Sequence, residues 1–310
     1  MTEAGQHVLA NHDPVLDDFA SEVGAEDAVA IAGSRSRWPS GWPLDADVRV
    51  VSAPSGIVIH QPEEMLVTVR AGTSVDELTA ALAEAGQRCP LPPGGTVGGA
   101  IAVGHNCIQR LGRGSVRDSV MQVRYVSADG RLVAGGGPVV KNVSGFNLPK
   151  LLTGSLGTLG FVCEVILRTN PIPVRSVVAS VADADPFVVF DLLYRPSMVL
   201  WDGVTTWVEL EGHPDDVDSQ LGLLKGLGQV TADVDLPELE PNRHSIAPGD
   251  VKSLLGAGAR FVASIGVGTV WTETARPHTP LDTQVIELSR RVKDEFDPTG
   301  RLNPGLKPWT

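Results

Sequence analysis

The chain has 310 residues, of which 42% are hydrophobic, and its formal net charge is −12. This length and composition predict about two domains with a sizeable core. The acidic balance excludes the basic surfaces that bind nucleic acid or anionic membranes. The first residues are acidic and do not resemble a signal peptide, and no run of eighteen apolar residues predicts a membrane span. We therefore expect a soluble, cytoplasmic protein.

Cysteine and histidine usage argues against several kinds of metal centre. Cys89, Cys107 and Cys163 lie far apart and cannot supply the four ligands of an iron–sulfur cluster. Their odd number also argues against a disulfide framework. The seven histidines form neither H-x-x-x-H nor H-E-x-x-H, so no local metal site is predicted. A metal site assembled from distant residues stays an open alternative.

The predicted elements of the first half are short strands and amphipathic helices. Pro14–Val23 is predicted to be a helix, and strands follow in AVAIAG, DVRVVS, GIVIH and LVTVR. Ser74 and Glu77 form a capping box at the start of the helix predicted in TSVDELTAALAEAG, and Gly86 ends that helix. VMQVRYVSADGRLVAG predicts a β-hairpin with Asp129-Gly130 at its turn.

Two prolines, Pro171 and Pro173, follow the strand predicted at 161–169 and indicate a domain boundary. Beyond them strands are predicted in WVELEG and TADVDL, and one more strand in FVASIGVGTVW. Helices are predicted in PDDVDSQLGLLKGLG and near 249–255. The amphipathic segment PLDTQVIELSRRVKDEFDP then leads into the tail TGRLNPGLKPWT.

Glycine is concentrated in PLPPGGTVGGAIAVG (90–104) and GSLGTLG (154–160). Glycine permits positive φ, and successive backbone amides in such loops form nests that hold phosphate oxygens. Two nests predict a diphosphate and therefore a dinucleotide cofactor; the alternative is that both segments are only tight turns. GSLGTLG follows a helical patch and precedes a strand, the reverse of a Rossmann fingerprint, and GGPVVKN does not match a P-loop.

The order of these motifs resembles the FAD-binding domain of the vanillyl-alcohol oxidase/p-cresol methylhydroxylase (PCMH) superfamily. The similarity rests on VTVRAGTSVDELTAALAEAGQ, LPPGGTVGGAIAVG, GRGSVRDSVMQVRYVSADGRLVAGGGPVVKNVSGFNLPKLLTGSLGTLGFVCEV and RVKDEFDPTGRLNPG. It is strongest over 48–171 and 292–305. Within the superfamily, the sequence resembles the FAD-binding accessory subunits of bacterial glycolate oxidase.

The resemblance implies an α+β fold. It implies a two-lobed PCMH-type FAD-binding domain (1–172), an α/β cap domain over the isoalloxazine (173–290) and a C-terminal segment that returns to the FAD domain (291–310). FAD is then expected to lie along the two glycine-rich segments, 90–104 and 154–160. The residues expected to contact it there are Pro93, Gly94, Thr96, Val97, Gly98, Gly99, Ala102, Val103, Gly104, Gly154, Ser155, Gly157, Phe161 and Val162.

The first loop of the flavin site, IAGSRSRW (31–38), departs from the family pattern. Relatives carry an arginine and two or three glycines there, whereas this chain has only Gly33. Ser34, Arg35 and Ser36 are still expected to donate hydrogen bonds, and Arg35 or Arg37 to offset phosphate charge. Whether this loop supports full FAD affinity stays open.

A second departure lies at 145–148, where the family's GYDL is GFNL and lacks a hydroxyl and a charge. Lys141 and Asn142 precede it, and either flavin contact or hydrogen bonding within the loop fits them. Covalent flavin attachment is not expected, because the first loop holds neither His nor Cys. Cys89 does not match the bicovalent pattern of relatives, and His105 is interpreted as a turn residue.

No catalytic residue is predicted. Oxidation of a hydroxy acid needs a cation for the carboxylate and a base or metal near the hydroxyl, and Arg243, His244 and Arg260 form no recognisable set. One hypothesis is an FAD-dependent oxidoreductase subunit, similar to glycolate oxidase, that oxidises a small 2-hydroxy acid and passes electrons to a partner. The other is a non-catalytic or electron-relaying FAD-binding accessory subunit. Expected partners are a catalytic flavin subunit, an iron–sulfur subunit, or both.

Overall fold

The computed structural model describes residues 13–37, 42, 47–137, 147–256, 258–275 and 281–307. By their contacts these residues form two compact units. Unit 1 comprises the described parts of Met1–Asn106, Ser115–Pro171 and Pro280–Thr310, and unit 2 those of Cys107–Gly114 and Ile172–Thr279. Both units mix helices and sheet, which confirms the α+β class. That 1–172, 173–290 and 291–310 are separate domains stays a prediction.

Helices occur in both units, and every α-helix named here except Arg110–Arg113 begins after a residue whose side chain accepts a hydrogen bond from the first turn. The α-helices are α1 (Pro14–Val23), α2 (Val75–Glu84), α3 (Val97–Val103), α4 (Arg110–Arg113), α5 (Val116–Ser119), α6 (Leu148–Leu152), α7 (Pro186–Leu192), α8 (Pro214–Leu224) and α9 (Thr283–Phe296). Pro62–Glu64 and Pro248–Gly256 are 3₁₀-helices. Ser74 accepts a hydrogen bond from Glu77 N at 3.0 Å, which confirms the predicted cap of α2.

Unit 1 is built on an antiparallel sheet. In the described part of the chain this sheet has five strands, and two further pairs of strands accompany it. In chain order the strands are β1 (Val29–Ile31), β2 (Arg49–Val51), β3 (Ile57–Gln61), β4 (Leu66–Arg70), β5 (Gln87–Arg88), β6 (Val120–Val126), β7 (Leu132–Gly136), β8 (Phe161–Arg168) and β9 (Asn170–Pro171). The main sheet has the order β3-β4-β8-β6-β7, while β1 pairs with β2 in parallel and β5 with β9 in antiparallel fashion. The predicted hairpin is β6–β7.

The core of unit 1 joins this sheet to α2 and α3. Val69 and Val165 pack from the sheet against Leu78 of α2 and Ile101 of α3, and all four are essentially buried. Truncating a buried leucine to alanine typically costs about 2–5 kcal/mol. The sheet and α3 are therefore held as one body, which fixes the ends of β8 and α3 relative to each other.

Unit 2 is built on a second antiparallel sheet. Its strands are β10 (Arg175–Ala182), β11 (Met198–Trp201), β12 (Thr205–Gly212), β13 (Val230–Ala232), β14 (Asn242–Ser245), β15 (Phe261–Ser264) and β16 (Thr269–Thr272), in the order β13-β10-β12-β11-β15-β16-β14. Val208 and Leu210 of β12 share a core with Val189 of α7 and Leu221 of α8. Because side chains alternate along a strand, these helices cover one face of the sheet.

Three predicted elements differ from the structure. FVASIGVGTVW is a hairpin, β15–β16, because Gly266 and Gly268 take φ of +77° and +78° and turn the chain. TADVDL was predicted to be a strand, but β13 ends at Ala232, and Asp233 has φ +56°. The stretch around Gly98 was expected to be loop, yet it forms α3.

No helix among the described residues is long and apolar enough to cross a membrane.

Candidate cofactor site

A cavity of about 350 Å³ lies in unit 1. The chain after β1, the helix α3, the segment before β8 and the C-terminal tail (301–307) surround it. Its volume falls within the range of small-molecule and cofactor sites, about 300–1,000 Å³. Leu152 and Phe161 give it an apolar wall, while serine and arginine side chains come from the segment after β1.

Most of the residues predicted to contact FAD line this cavity. They are Gly33, Ser34, Arg35, Ser36, Thr96, Gly98, Gly99, Ala102, Val103, Ser155, Gly157, Phe161 and Val162. Pro93, Gly94, Val97, Gly104 and Gly154 do not line it. The structure thus brings together all three segments, 33–37, 94–104 and 154–160, and their role as FAD contacts stays a proposal.

The second segment does not form an open nest of backbone donors. Gly98 N–H donates to Ala71 O at 2.8 Å, and Gly99 N–H donates to Thr96 Oγ1 at 3.1 Å. Thr96 is the N-cap of α3, so the segment is a capped helix rather than a phosphate-binding loop. The amides that the sequence suggested for phosphate are occupied within the protein.

The third segment is also held by internal hydrogen bonds. Gly154 N–H donates to Ile101 O at 3.0 Å, and Leu156 N–H donates to Ala102 O at 2.8 Å. These bonds attach the segment to α3. Gly157, at φ +70°, leaves room for the tail, because a Cβ there would lie 2.6 Å from the side-chain nitrogen of Asn303. Glycine therefore serves close packing between segments here.

The first segment keeps its backbone donors available. Within the described residues, the N–H groups of Gly33, Ser34 and Ser36 donate no hydrogen bond. Arg35 has φ +58°, a left-handed conformation that directs neighbouring amides into a concave turn. Gly33 also has to be glycine, because a Cβ would lie 2.5 Å from Thr96 Oγ1. The segment with the fewest glycines is the one whose amides have no acceptor among the described residues.

Arg37 adds a cation to this segment. Its Nη2 donates to Pro92 O and Pro93 O, both at 2.9 Å. Its Nη1 is buried and has no hydrogen-bond partner among the described residues. Burial lowers the pKa of Arg37, and the negative charge of Asp76 opposes that shift. Because a buried donor without an acceptor is costly, this guanidinium fits an anionic ligand in the cavity.

Asn303 ties the tail to two of the segments, and the sequence analysis did not identify it. Its Oδ1 accepts from Ile31 N at 2.9 Å, and its Nδ2 donates to Leu156 O at 2.6 Å. Asp297 sets the course of the tail, since its carboxylate accepts from Arg301 N at 3.1 Å and from Leu302 N at 2.8 Å. Leu302 and Pro304 flank Asn303, so no polar pattern in the sequence marks it.

Other sequence predictions have no part in this site. None of the described residues that line the cavity is His or Cys. No group of three or more His, Cys, Asp or Glu among the described residues is arranged to hold a metal ion. Lys141, Asn142, Gly145 and Phe146 lie outside the described residues.

Comparison with known proteins agrees with the geometry of unit 1. Residues 23–136 match the FAD binding domain family. The chain is 25% identical to glycolate oxidase subunit GlcE of Escherichia coli (strain K12), over 94% of this chain and 95% of that protein. It is 38% identical to a D-lactate dehydrogenase of Archaeoglobus fulgidus and 33% identical to glycolate oxidase subunit GlcD of Bacillus subtilis. These two matches cover 41% and 36% of this chain, but 26% and 24% of those proteins.

Solved structures show the same fold. Two crystal forms of alkyldihydroxyacetonephosphate synthase superpose with TM-scores of 0.65 and 0.68 at 14% identity. Each match covers 93% of this chain, and 73% or 74% of the synthase chain. This likeness, with the family match, confirms the predicted PCMH-type fold.

Proposed function

Because the chain contains a PCMH-type FAD binding domain and is homologous to FAD-binding oxidoreductases, we propose that the cavity of unit 1 holds FAD without a covalent bond. This proposal rests on four donors in one segment, which are Arg37 Nη1 and the backbone amides of Gly33, Ser34 and Ser36. All four are donors without acceptors among the described residues, and they belong to one cavity wall. A diphosphate supplies acceptors for such a set.

The remaining lining residues fit the rest of a flavin dinucleotide. Ala102, Leu152, Phe161 and Val162 offer apolar surface to ring systems. FAD, when bound, supplies the redox chemistry, so the protein has only to bind it, orient it and keep water from it. The lack of His and Cys among the described lining residues supports non-covalent binding.

The chain is proposed to act as a subunit of an oxidoreductase that converts a small 2-hydroxy acid, such as glycolate, and passes the electrons to a partner. The similarity to GlcE over nearly the whole of both chains supports this, as does the similarity to GlcD and to D-lactate dehydrogenase. Partners would be a catalytic flavin subunit, an iron–sulfur subunit, or both. A cytoplasmic location belongs to the same proposal.

A second function is an accessory subunit that carries FAD without oxidising substrate itself. The specific observation in its favour is the first segment, which has one glycine and places an arginine side chain, Arg35, beside the cavity. No metal-binding group is found in the described part of the chain. Both functions share the FAD site and differ in whether substrate reduces the flavin.

Anaerobic reduction distinguishes these two functions. We expect the FAD-loaded chain alone to show little loss of absorbance near 450 nm (about the usual flavin band) with glycolate, lactate or 2-hydroxyglutarate. The reason is that the sequence predicts no catalytic base, and no group of three or more His, Cys, Asp or Glu among the described residues is arranged to hold a metal ion. Rapid bleaching by any one of these acids would contradict the accessory role and establish an independent dehydrogenase or oxidase.

Acid precipitation tests the mode of attachment. We expect trichloroacetic acid to leave all flavin in the supernatant, because the cavity offers no described His or Cys to bond the ring. Yellow colour retained by the washed pellet would contradict non-covalent binding while leaving the FAD site itself intact.

Gly99→Val should lower the affinity for FAD at least about tenfold, or about 1.4 kcal/mol. Gly99 lies in α3 and lines the cavity, and apart from the backbone of its own helix and its chain neighbours, the only described atom within 4 Å of a new Cβ is Thr96 Oγ1 at 3.1 Å. The valine methyl groups would therefore enter the cavity. Gly222→Val in α8 is the matched control, since nothing lies within 4 Å of its Cβ position. Unchanged FAD affinity in Gly99→Val with intact circular dichroism would show that α3 does not border the ligand.

A further inference from the structure

Trp42 lines the cavity of unit 1, and it was not among the residues that the sequence predicted to contact FAD. Its indole Nε1–H donates to Pro304 O at 2.9 Å. This bond joins the indole to the C-terminal tail, 262 residues further along the chain. Because the ring is anchored at its polar edge, it is held in a defined orientation at the cavity wall.

The tail that anchors Trp42 is itself held in place. Asn303 Oδ1 accepts from Ile31 N at 2.9 Å, and Asn303 Nδ2 donates to Leu156 O at 2.6 Å. Leu306 N–H donates to Asn303 O at 3.2 Å, and Leu306 also lines the cavity. Trp42 therefore rests on a segment that is fixed both to β1 and to the segment 154–160.

Trp42 offers the cavity an aromatic face. Among the described residues that line the cavity, only Trp42 and Phe161 are aromatic. Phe161 also packs in the core with Leu16 and Phe19 of α1, whereas Trp42 is only half-buried and keeps surface that a ligand can cover. Indole is a large, flat ring, and stacking it on another aromatic ring stabilises a complex beyond the apolar area that is buried.

We propose that the Trp42 indole stacks on one of the two planar ring systems of FAD, isoalloxazine or adenine. Both are flat heterocycles with a π-face, so the same indole surface fits either. The segment 33–37 offers donors for the diphosphate in the same cavity, and the wall at Trp42 offers the flat apolar surface that a ring needs. This inference rests on the proposed function, because FAD in this cavity supplies the ring that covers the indole.

Calorimetric titration of the full chain with FAD tests this role. Trp42→Ala should weaken FAD binding at least about tenfold, because it removes the ring face. Trp42→Phe keeps an aromatic ring and should weaken FAD binding less than about threefold. Trp207→Phe is the matched control and should leave the affinity unchanged, since Trp207 packs against a core cluster of unit 2 and does not line the cavity.

The comparison of alanine with phenylalanine separates stacking from a purely structural role. Neither side chain can donate to Pro304 O, so both variants would lose the same affinity if Trp42 only anchored the tail. FMN and ADP each carry one of the two rings and identify the one that is stacked. We expect Trp42→Ala to weaken the binding of one of them at least about fivefold and to leave the other unchanged.

Unchanged FAD affinity in Trp42→Ala, equal losses in the alanine and phenylalanine variants, or equal losses for FMN and ADP would each overturn the proposal. Trp42→Leu keeps apolar volume without the indole face, and it replaces the alanine variant if circular dichroism shows that variant to be unfolded. The wild-type titration separates this result from the proposed function. A wild-type chain that binds no FAD refutes the flavin site, whereas a wild-type chain that binds FAD no more tightly than Trp42→Ala refutes the stacking alone.

Discussion

Replacing Arg37 by Gln should lower the affinity for FAD about 30- to 100-fold, or about 2–3 kcal/mol. Arg37 lines the cavity, its buried Nη1 has no hydrogen-bond partner among the described residues, and its Nη2 is fixed by the carbonyls of Pro92 and Pro93. A guanidinium held in this way needs no reorganisation to meet a phosphate oxygen. Glutamine removes both the positive charge and the planar guanidinium. Quenching of FAD fluorescence measures the resulting loss of FAD affinity.

Two further variants separate the role of Arg37 from a general loss of charge. Arg131→Gln is the control, because its side chain is 78% exposed and pairs only locally with Asp129 in the described structure. Gly95→Ala displaces the Arg37 guanidinium without removing it, since the new Cβ would lie 2.0 Å from Nη1. We expect Gly95→Ala to weaken FAD binding and Arg131→Gln to leave it unchanged. Equal FAD affinities in Arg37→Gln and wild type would place the diphosphate elsewhere.

Replacing Arg301 by Met should lower the free energy of unfolding by about 3–5 kcal/mol. The Arg301 side chain is 6% exposed. Its donors satisfy five backbone carbonyls, those of Val23, Gly24, Glu26, Asp27 and Ala128, at 2.7–3.1 Å. The first of these lies in the last turn of α1, where helical carbonyls lack internal partners. Methionine fills the volume but donates to none of these acceptors, and of the five only Val23 O keeps another donor in the described structure, Arg49 Nη2 at 3.0 Å.

Urea titration followed by circular dichroism measures this effect. Arg290→Met on α9 is the control, because Arg290 is exposed and should change the unfolding free energy by less than about 0.5 kcal/mol. A loss below about 1 kcal/mol in Arg301→Met would mean that water satisfies the carbonyls that lose their donor. Because the tail also carries Asn303 to the cavity, Arg301→Met should weaken FAD binding as well.

Elements with a local cause could be predicted from the sequence. The capping box of Ser74 and Glu77 starts α2, and Asp129-Gly130 turns the β6–β7 hairpin, because each rests on hydrogen bonds or φ values within a few residues. Elements that depend on distant partners were missed. Helix α3 contains two glycines and forms because Thr96 caps it and Ala71 accepts from Gly98 N. The strand break at Gly266 was hidden in a continuous apolar run.

The segments that form the candidate site were predicted correctly. The explanation of their glycines as phosphate-binding nests was incomplete, because some of these glycines serve close packing between segments. The resemblance to a family predicted which segments meet at the cavity. Sequence alone could not show that the amides of Gly98 and Gly99 are already bonded, since their acceptors include a residue of another loop. It also could not show that Arg37 is held by two backbone carbonyls, because these belong to Pro92 and Pro93, 55 and 56 residues away. Asn303 is 272 residues from Ile31 and was invisible for the same reason.

Equilibrium titration of the FAD-free chain with FAD tests the central claim most directly. Quenching of flavin fluorescence should saturate at one FAD per chain, with a dissociation constant of about 1 µM or lower, as expected for a cavity that supplies a fixed cation and free amides. Riboflavin, which lacks the diphosphate, should bind at least about 30-fold more weakly. No saturation up to about 100 µM FAD, or equal affinity for riboflavin, would contradict a diphosphate site built on Arg37 and the first segment.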